Sequence, residues 1–316
     1  MSEGAKMKAV VCPKYGPAEL LKIMEVAKPV PKDNELLVKI IATTVHIGDT
    51  KVRRFAPGLG PVKDFFFRIA MRFVIGFFKP RKSILGMEFA GEVESVGKDV
   101  TLFKPGDAVF ASTEFRFGGH AEYCCIPEKG VITHKPVNMT YQEAAPVSNG
   151  SLTALIHMRR ANVRQGHRVL IYGASGSIGT YAIQMAKNYG AEVTAVCSAA
   201  NHELVKSLGA DKVIDYTRQD FTQTGEKWDL VYDTVGKIPR NKRKVSLTPQ
   251  GKYISALEVS GNIVLKVKDL IHIKELIEAD KLKTVIDREY SIDEIVEAHK
   301  YVEKGHKKGN VVINVA

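Results

Sequence analysis

The stretch HRVLIYGASGSIG, residues 167–179, constrains this chain more than any other. A short apolar run ends in three glycines spaced three apart, Gly173, Gly176 and Gly179, and a helix-like segment, TYAIQMAKNYG, follows directly. A strand that feeds a helix through such a turn uses each glycine differently. One makes the tight bend, one lets backbone approach a pyrophosphate, and one lets helix and sheet pack closely. The helix start then offers unpaired N–H groups to phosphates, those around Ser177 and Ile178, and Ser175 and Ser177 add hydroxyl donors. The motif reads as a dinucleotide site.

Downstream the rhythm repeats. AEVTAVCS, KVIDY, WDLVYDTVG and GKYISAL read as strands, with the helix NHELVKSLG among them. Alternation of this kind means a parallel sheet covered on both faces. Upstream, MKAVVCP, NELLVKIIATTV, GMEFAGEVESVG and GDAVFAS are short strands punctuated by Gly and Pro, as in a small barrel. TYQEAAPVSNGSLTALIHMRRA predicts a helix with Thr140 and Glu143 as a capping box. The last 27 residues predict a helix capped by Ser291 and a final strand. That strand lacks a partner in the parallel sheet and is expected to return to the first domain. The fold class is α/β, a Rossmann-type doubly wound parallel sheet plus a β-barrel. The expected domains are 1–136 with 286–316, and 137–285.

The residues after the second strand indicate which dinucleotide. An NAD site places an acid about 20 residues on, to hold the ribose hydroxyls. Here that place reads AVCSAANHE, with Ser198 and Asn201 where a carboxylate would stand. Tyr216, ending KVIDY, is expected to reach the same pocket. Hydroxyls and an amide accept a 2′-phosphate that a carboxylate would repel, so the sequence favours NADP(H).

At 316 residues the chain is long enough for two cores. It opens with no charged-then-apolar leader, and no run reaches the ~18 apolar residues of a membrane span. Four cysteines without C-x-x-C spacing suit a reducing cytoplasm. The net charge of +11 is concentrated: residues 51–82 hold nine Lys/Arg against one acid, and KIPRNKRK at 237–244 adds five more cations. Such clusters attract anions, membranes or nucleic acid, or are simply solvated. Within the first cluster, in DFFFRIAMRFVIGFFKPRK (64–82), residues 64–79 read as a helix with a polar stripe of Asp64, Arg68 and Arg72 on an otherwise apolar cylinder. A lid over a pocket for an apolar acceptor, an interfacial helix giving peripheral membrane contact, and plain core packing remain open. No DNA partner is expected, and no aromatic-rich RNA motif is present.

The blocks ILGMEFAGEVESVGKDVTLFKPGDAVF (84–110), GGHAEYCCIPE (118–128), GSLTA (150–154), GASGSIGTYAIQMAK (173–187) and GHKKGNVVINV (305–315) carry a family resemblance over nearly the whole chain. The chain resembles the medium-chain dehydrogenase/reductase superfamily in its zinc-free quinone oxidoreductase branch, and its ending resembles reticulon-interacting NADPH oxidoreductases. The resemblance implies a GroES-like barrel built from both chain ends around a Rossmann domain. Zinc-dependent members place Cys, His and Cys at positions matched here by His46, Met87 and Asn149, a poor donor set, so no metal is expected. The zinc-free loop N-P-x-D-x-K is matched in part by HIGDTK, His46 to Lys51. The resemblance implies Lys51 as the group that polarises a substrate carbonyl, and His46 could relay a proton near neutral pH. Thr153 matches the nicotinamide-side helix, and His306, Lys308 and Gly309 match the C-terminal cofactor segment. The implied activity is hydride transfer from NADPH to a small apolar quinone or enone. A redox sensor or RNA-associated protein with little turnover is one alternative, and a zinc-independent alcohol or carbonyl reductase another. The segment EVSGNIVLKVKDLIH is shorter than its counterpart in close relatives, which leaves the homodimer usual in the superfamily open.

Overall fold

A computed structural model describes residues 5–55, 76–77, 79–256 and 264–316. The helix read over 64–79, and with it the lid, membrane and core-packing readings, lies almost wholly outside the described residues. The chain forms two compact units, one of residues 1–149 with Ile286–Ala316 and one of Gly150–Val285.

In the second unit five parallel strands, Arg168–Tyr172, Glu192–Cys197, Lys212–Asp215, Trp228–Asp233 and Leu247–Ser255, make one sheet. Their order across the sheet is third, second, first, fourth, fifth. The order therefore reverses at the first strand, and open α/β sheets bind ligands at the C-terminal ends of strands at such a point. Val169, Leu170 and Ile171 are fully buried, as both-face coverage demands. On one face Leu170, Val196, Phe221, Val231 and Ile238 pack around Trp228, whose indole N–H donates to Thr194 Oγ1 at 3.3 Å.

In the first unit the strand Glu35–Thr44 is the hub. It pairs antiparallel with Glu88–Val96, with Tyr123–Pro127 and with the last strand, Asn310–Asn314. The C-terminal strand thus returns to the N-terminal domain, Val312 lying opposite Thr44. It also pairs in parallel with Ile286–Ser291. Lys6–Val11 and Lys22–Ala27 form a separate antiparallel pair.

The helix expected from Thr140 onward is two helices, Tyr141–Ala144 and Val147–Ala161. Pro146 explains the break, since it has no N–H to give and its ring crowds the preceding turn. The capping box is present: Thr140 Oγ1 accepts from Glu143 N at 3.2 Å, and Glu143 Oε2 accepts from Thr140 N at 2.8 Å. Thr140→Ala is expected to lower stability by about 1 kcal/mol, read as a shifted denaturant midpoint at unchanged slope.

Candidate functional site

The glycine turn separates into two structural positions and one open one. Gly173 has φ +80°, a conformation side chains rarely adopt, and a Cβ there would lie 2.6 Å from Thr234 Oγ1. A Cβ on Gly179 would lie 2.4 Å from the Gly173 carbonyl oxygen, because the helix Ser177–Asn188 begins against the turn itself. Gly176 differs. Its backbone is extended (φ −80°, ψ 176°), and a Cβ would meet nothing nearer than 3.5 Å. The fold does not need a glycine at 176; a ligand pressed against the backbone would.

The other nucleotide-side residues gather around this turn. Asn201 Nδ2 donates to Ser175 Oγ at 3.1 Å and to Ser198 Oγ at 3.2 Å, while its Oδ1 is buried with no hydrogen-bond partner among the described residues. Tyr216 N donates to the Cys197 carbonyl at 3.3 Å, which holds the ends of the second and third strands together. Its ring is exposed and lines a cavity of about 340 Å³ with Tyr172, Arg218, Phe221, Ile238 and Lys242. Ser177 is buried and Ile178 half-buried in the first helical turn. Thr153 is half-buried on the helix Val147–Ala161. Asp215, the nearby acid at the end of the third strand, is turned onto Thr217, accepting from its N–H and its hydroxyl at 2.9 and 2.7 Å. No carboxylate ends the second strand.

A second group of polar side chains gathers in the first unit. His46 caps the helix Ile47–Arg54: its Nδ1 accepts from Gly48 N at 3.0 Å, and Asp49 Oδ2 accepts from His46 N at 2.9 Å. Asp49 Oδ1 also accepts from Gly86 N at 3.1 Å, tying the helix start to the next loop. Burial, then the charges of Lys307 and Lys51, push the imidazole down to about 4. Lys51 lies half-buried further along the same helix. Glu88 is buried and accepts from Thr44 Oγ1 (2.8 Å), Ser148 Oγ (3.0 Å) and Asn149 N (2.8 Å). Burial pushes its carboxyl up to about 7 despite those three donors.

Near the chain's end, Lys307 is half-buried and donates to the Gly309 carbonyl. Burial lowers its ammonium to about 8, with Glu88 and Asp287 opposing the shift. The neighbours expected from the resemblance are placed differently. His306 and Lys308 are exposed, Lys308 N donating to Asp287 Oδ2 at 2.9 Å, and Gly309 takes φ +59°. Glu88 and Lys307 were not singled out from the sequence. Glu88 looks there like one acid among several in a strand, and Lys307 like one cation in a basic turn.

Glu88 gives a pH signature. Its carboxyl holds a proton more tightly folded than unfolded, so the folded state binds more protons between about pH 4.5 and 7. Its contribution is therefore complete below pH 4.5 and lost as pH rises through 7. Glu88's own share of the unfolding free energy falls across that window with a slope approaching about 1.4 kcal/mol per pH unit, so Glu88→Gln should make the measured slope more positive by up to that amount. An unaltered slope in the variant would assign the titration elsewhere.

The positions that match a zinc set do not fit the metal. His46 Nδ1 is occupied by the Gly48 N–H. Asn149 Oδ1 accepts from Ser112 Oγ at 2.9 Å and its Nδ2 donates to the Met87 carbonyl at 3.3 Å. Met87 offers only a thioether, which suits Zn²⁺ poorly.

A parallel sheet with a phosphate-ready turn at its switch point, in a chain that also folds a barrel-type sheet carrying a buried acid and a half-buried imidazole and ammonium, defines a nucleotide-dependent oxidoreductase. Residues 32–137 match the alcohol dehydrogenase GroES-like domain, and 177–277 and 257–313 match zinc-binding dehydrogenase models. The chain is 34% identical to the chloroplastic quinone-oxidoreductase QR1 of Triphysaria versicolor, over 98% of this chain and 99% of that one. It is 31% identical to the mitochondrial NAD(P)H oxidoreductase RTN4IP1 of Mus musculus, over 98% and 89%. The structure of the quinone oxidoreductase from Coxiella burnetii superposes with a TM-score of 0.83 at 28% identity, covering 99% of this chain and all of that one. The chain belongs to the medium-chain dehydrogenase/reductase superfamily, in its quinone oxidoreductase-like branch. No helix among the described residues is long and apolar enough to cross a membrane.

Proposed function

We propose that this protein transfers hydride from NADPH to a quinone or an α,β-unsaturated carbonyl compound without zinc. The observation that carries the reading is the Gly176 backbone, open on its outer side at the switch point of the sheet, beside a second-strand end that holds Ser198 and Asn201 in place of an acid. Gly176, Ser177 and Ile178 would receive the pyrophosphate at the helix start. Ser175, Ser198, Asn201 and Tyr216 would surround the phosphorylated ribose, where the hydroxyls donate to a dianion and Asn201 holds the two serines in place. Thr153 would steady the nicotinamide side, and His306, Lys308 and Gly309 would contribute to cofactor binding. The cofactor, when bound, supplies the hydride. The chain's own part is to fix its orientation and to place Lys51 where negative charge develops on the acceptor oxygen.

The test is stopped-flow NADPH oxidation with a panel of quinones and enones, alongside NADH. Turnover with NADPH at least about 10-fold more efficient than with NADH is expected, since the 2′-phosphate meets donors here. Tight NADPH binding with no oxidation by any acceptor would support a redox sensor instead.

A further inference from the structure

The donors at the end of the second strand are all neutral, and a phosphate dianion calls for a cation. We propose that Arg218, on the loop after the third strand of the parallel sheet, is the residue that selects NADPH, its guanidinium pairing with the 2′-phosphate beside the cavity lined by Tyr172 and Tyr216. The inference rests on the reductase reading above and deepens it. Every residue it uses lies in one compact unit, Gly150–Val285.

Three observations carry it. First, the cavity adjoins the glycine turn and is walled with aromatic rings. Tyr172 is the residue before Gly173, and its ring centroid lies 6.4 Å from that of Tyr216 and 6.0 Å from that of Phe221. A volume of about 340 Å³ is at the small end for ligand sites and suits one heterocycle rather than a whole dinucleotide. Aromatic faces are what a purine stacks on.

Second, the cavity wall runs up to the donors assigned to the ribose. Tyr216 N donates to the Cys197 carbonyl, so the end of the third strand is tied to the residue before Ser198. Asn201 in turn holds Ser198 and Ser175. A purine in the cavity and a pyrophosphate at the start of the helix Ser177–Asn188 put the ribose between Tyr216 and Ser198.

Third, the two cations that line the cavity, Arg218 and Lys242, are in different states. Lys242 Nζ donates to Asp220 Oδ2. Asp220 Oδ1 accepts from the N–H and the hydroxyl of Thr222 at 3.0 and 2.9 Å, so this pair is a closed clasp between the third-strand loop and the helix Arg240–Val245. Arg218 is not engaged in that way. Its side chain is 83% exposed, and its acidic partner among the described residues is Asp215 Oδ2, 3.8 Å from Nε. An ion pair so exposed and so long contributes little, so a phosphate can take the guanidinium at small cost.

An arginine suits the task. Its planar fork gives two parallel N–H donors to phosphate oxygens, and the bonds are charge-assisted. Arg218 also stands beside Asp215, whose charge at the end of the third strand would otherwise repel the dianion. The selecting cation therefore comes one strand later than the place where an acid or an arginine is usually sought. The run KIPRNKRK contributes a wall to the same site through Lys242 and leaves the phosphate to Arg218.

NADPH and NADH differ by that one phosphate, so their dissociation constants on full-length protein are the test, measured by calorimetry. Wild-type protein is expected to prefer NADPH by about 10-fold or more. Arg218→Gln should weaken NADPH about 10- to 100-fold and leave NADH within about twofold. Arg218→Lys, which keeps the charge without the fork, should fall between. Lys242→Gln opens the clasp and should weaken both nucleotides alike. Thermal unfolding of Arg218→Gln should match the wild type, because the side chain is exposed. If Arg218→Gln keeps the wild-type preference, or if Lys242→Gln abolishes it, the proposal is overturned while the reductase reading stands. Equal binding of both nucleotides by the wild type would overturn it as well, leaving hydride transfer from either one. Wild-type protein that binds neither would strike the reductase reading and this inference together.

Discussion

Gly176→Val should weaken NADPH binding by at least about 100-fold, a loss near 2.7 kcal/mol, while leaving the folded state within about 1 kcal/mol of its original stability. The two halves of that expectation come from different atoms. A branched side chain accepts the extended backbone at 176, and its Cβ would meet only the Gly173 carbonyl, at an unstrained 3.5 Å. Methyl groups would nevertheless stand over the first N–H groups of the helix Ser177–Asn188, where a pyrophosphate has to come into hydrogen-bond range. Gly179→Ala is the control. Its Cβ would press on two carbonyl oxygens at 2.4 and 2.6 Å, so it should damage the fold itself, lowering the melting temperature whether or not ligand is present. Calorimetry and thermal unfolding on both variants separate the cases. Undiminished NADPH affinity in Gly176→Val would move the phosphate site away from this turn.

The contrast shows what a linear reading reaches. Three glycines after an apolar run announce the turn, because the spacing reflects backbone geometry that local sequence dictates. The capping boxes at Thr140 and Ser291 are equally local, each written within four residues. The return of the last strand could be inferred only by elimination, and the partner it chose, Glu35–Thr44, lies about 270 residues away. The break at Pro146 was written in the sequence but outweighed by the apolar periodicity on either side of it.

The reactive cluster was the least legible part. His46 and Lys51 drew notice through a loop pattern, whereas Glu88 and Lys307 become unusual only when the fold withdraws both from solvent and brings their charges within reach of each other. Burial shifts a carboxyl up and an ammonium down, and burial is a property of the assembled sheet. Nothing in GMEFAG or GHKKGN displays it. The same holds for the imidazole: a histidine expected to relay protons near neutral pH is held at about 4 by burial first, and then by Lys307 and Lys51, which lie more than 200 residues apart.

Lys51→Met is expected to slow hydride transfer about 100-fold with NADPH affinity unchanged. The helix that carries Lys51 is fixed at both ends. Asp49 joins its first turn to Gly86, and the fully buried Arg53 joins its last turn to the Gly16 carbonyl, to Glu303 and to His299 Nδ1. The ammonium thus swings from a rigid base, which makes it effective against charge that appears only in the transition state. Methionine keeps most of the apolar stem and removes only the charge, so packing should be nearly unaltered. Lys51→Arg tests geometry: a planar guanidinium on a longer stem restores charge but misplaces it, and should recover part of the rate. Single-turnover kinetics at saturating NADPH isolates the step. If Lys51→Met reduces quinone as fast as the wild type, the ammonium takes no part in the step and becomes one more cation in a basic loop.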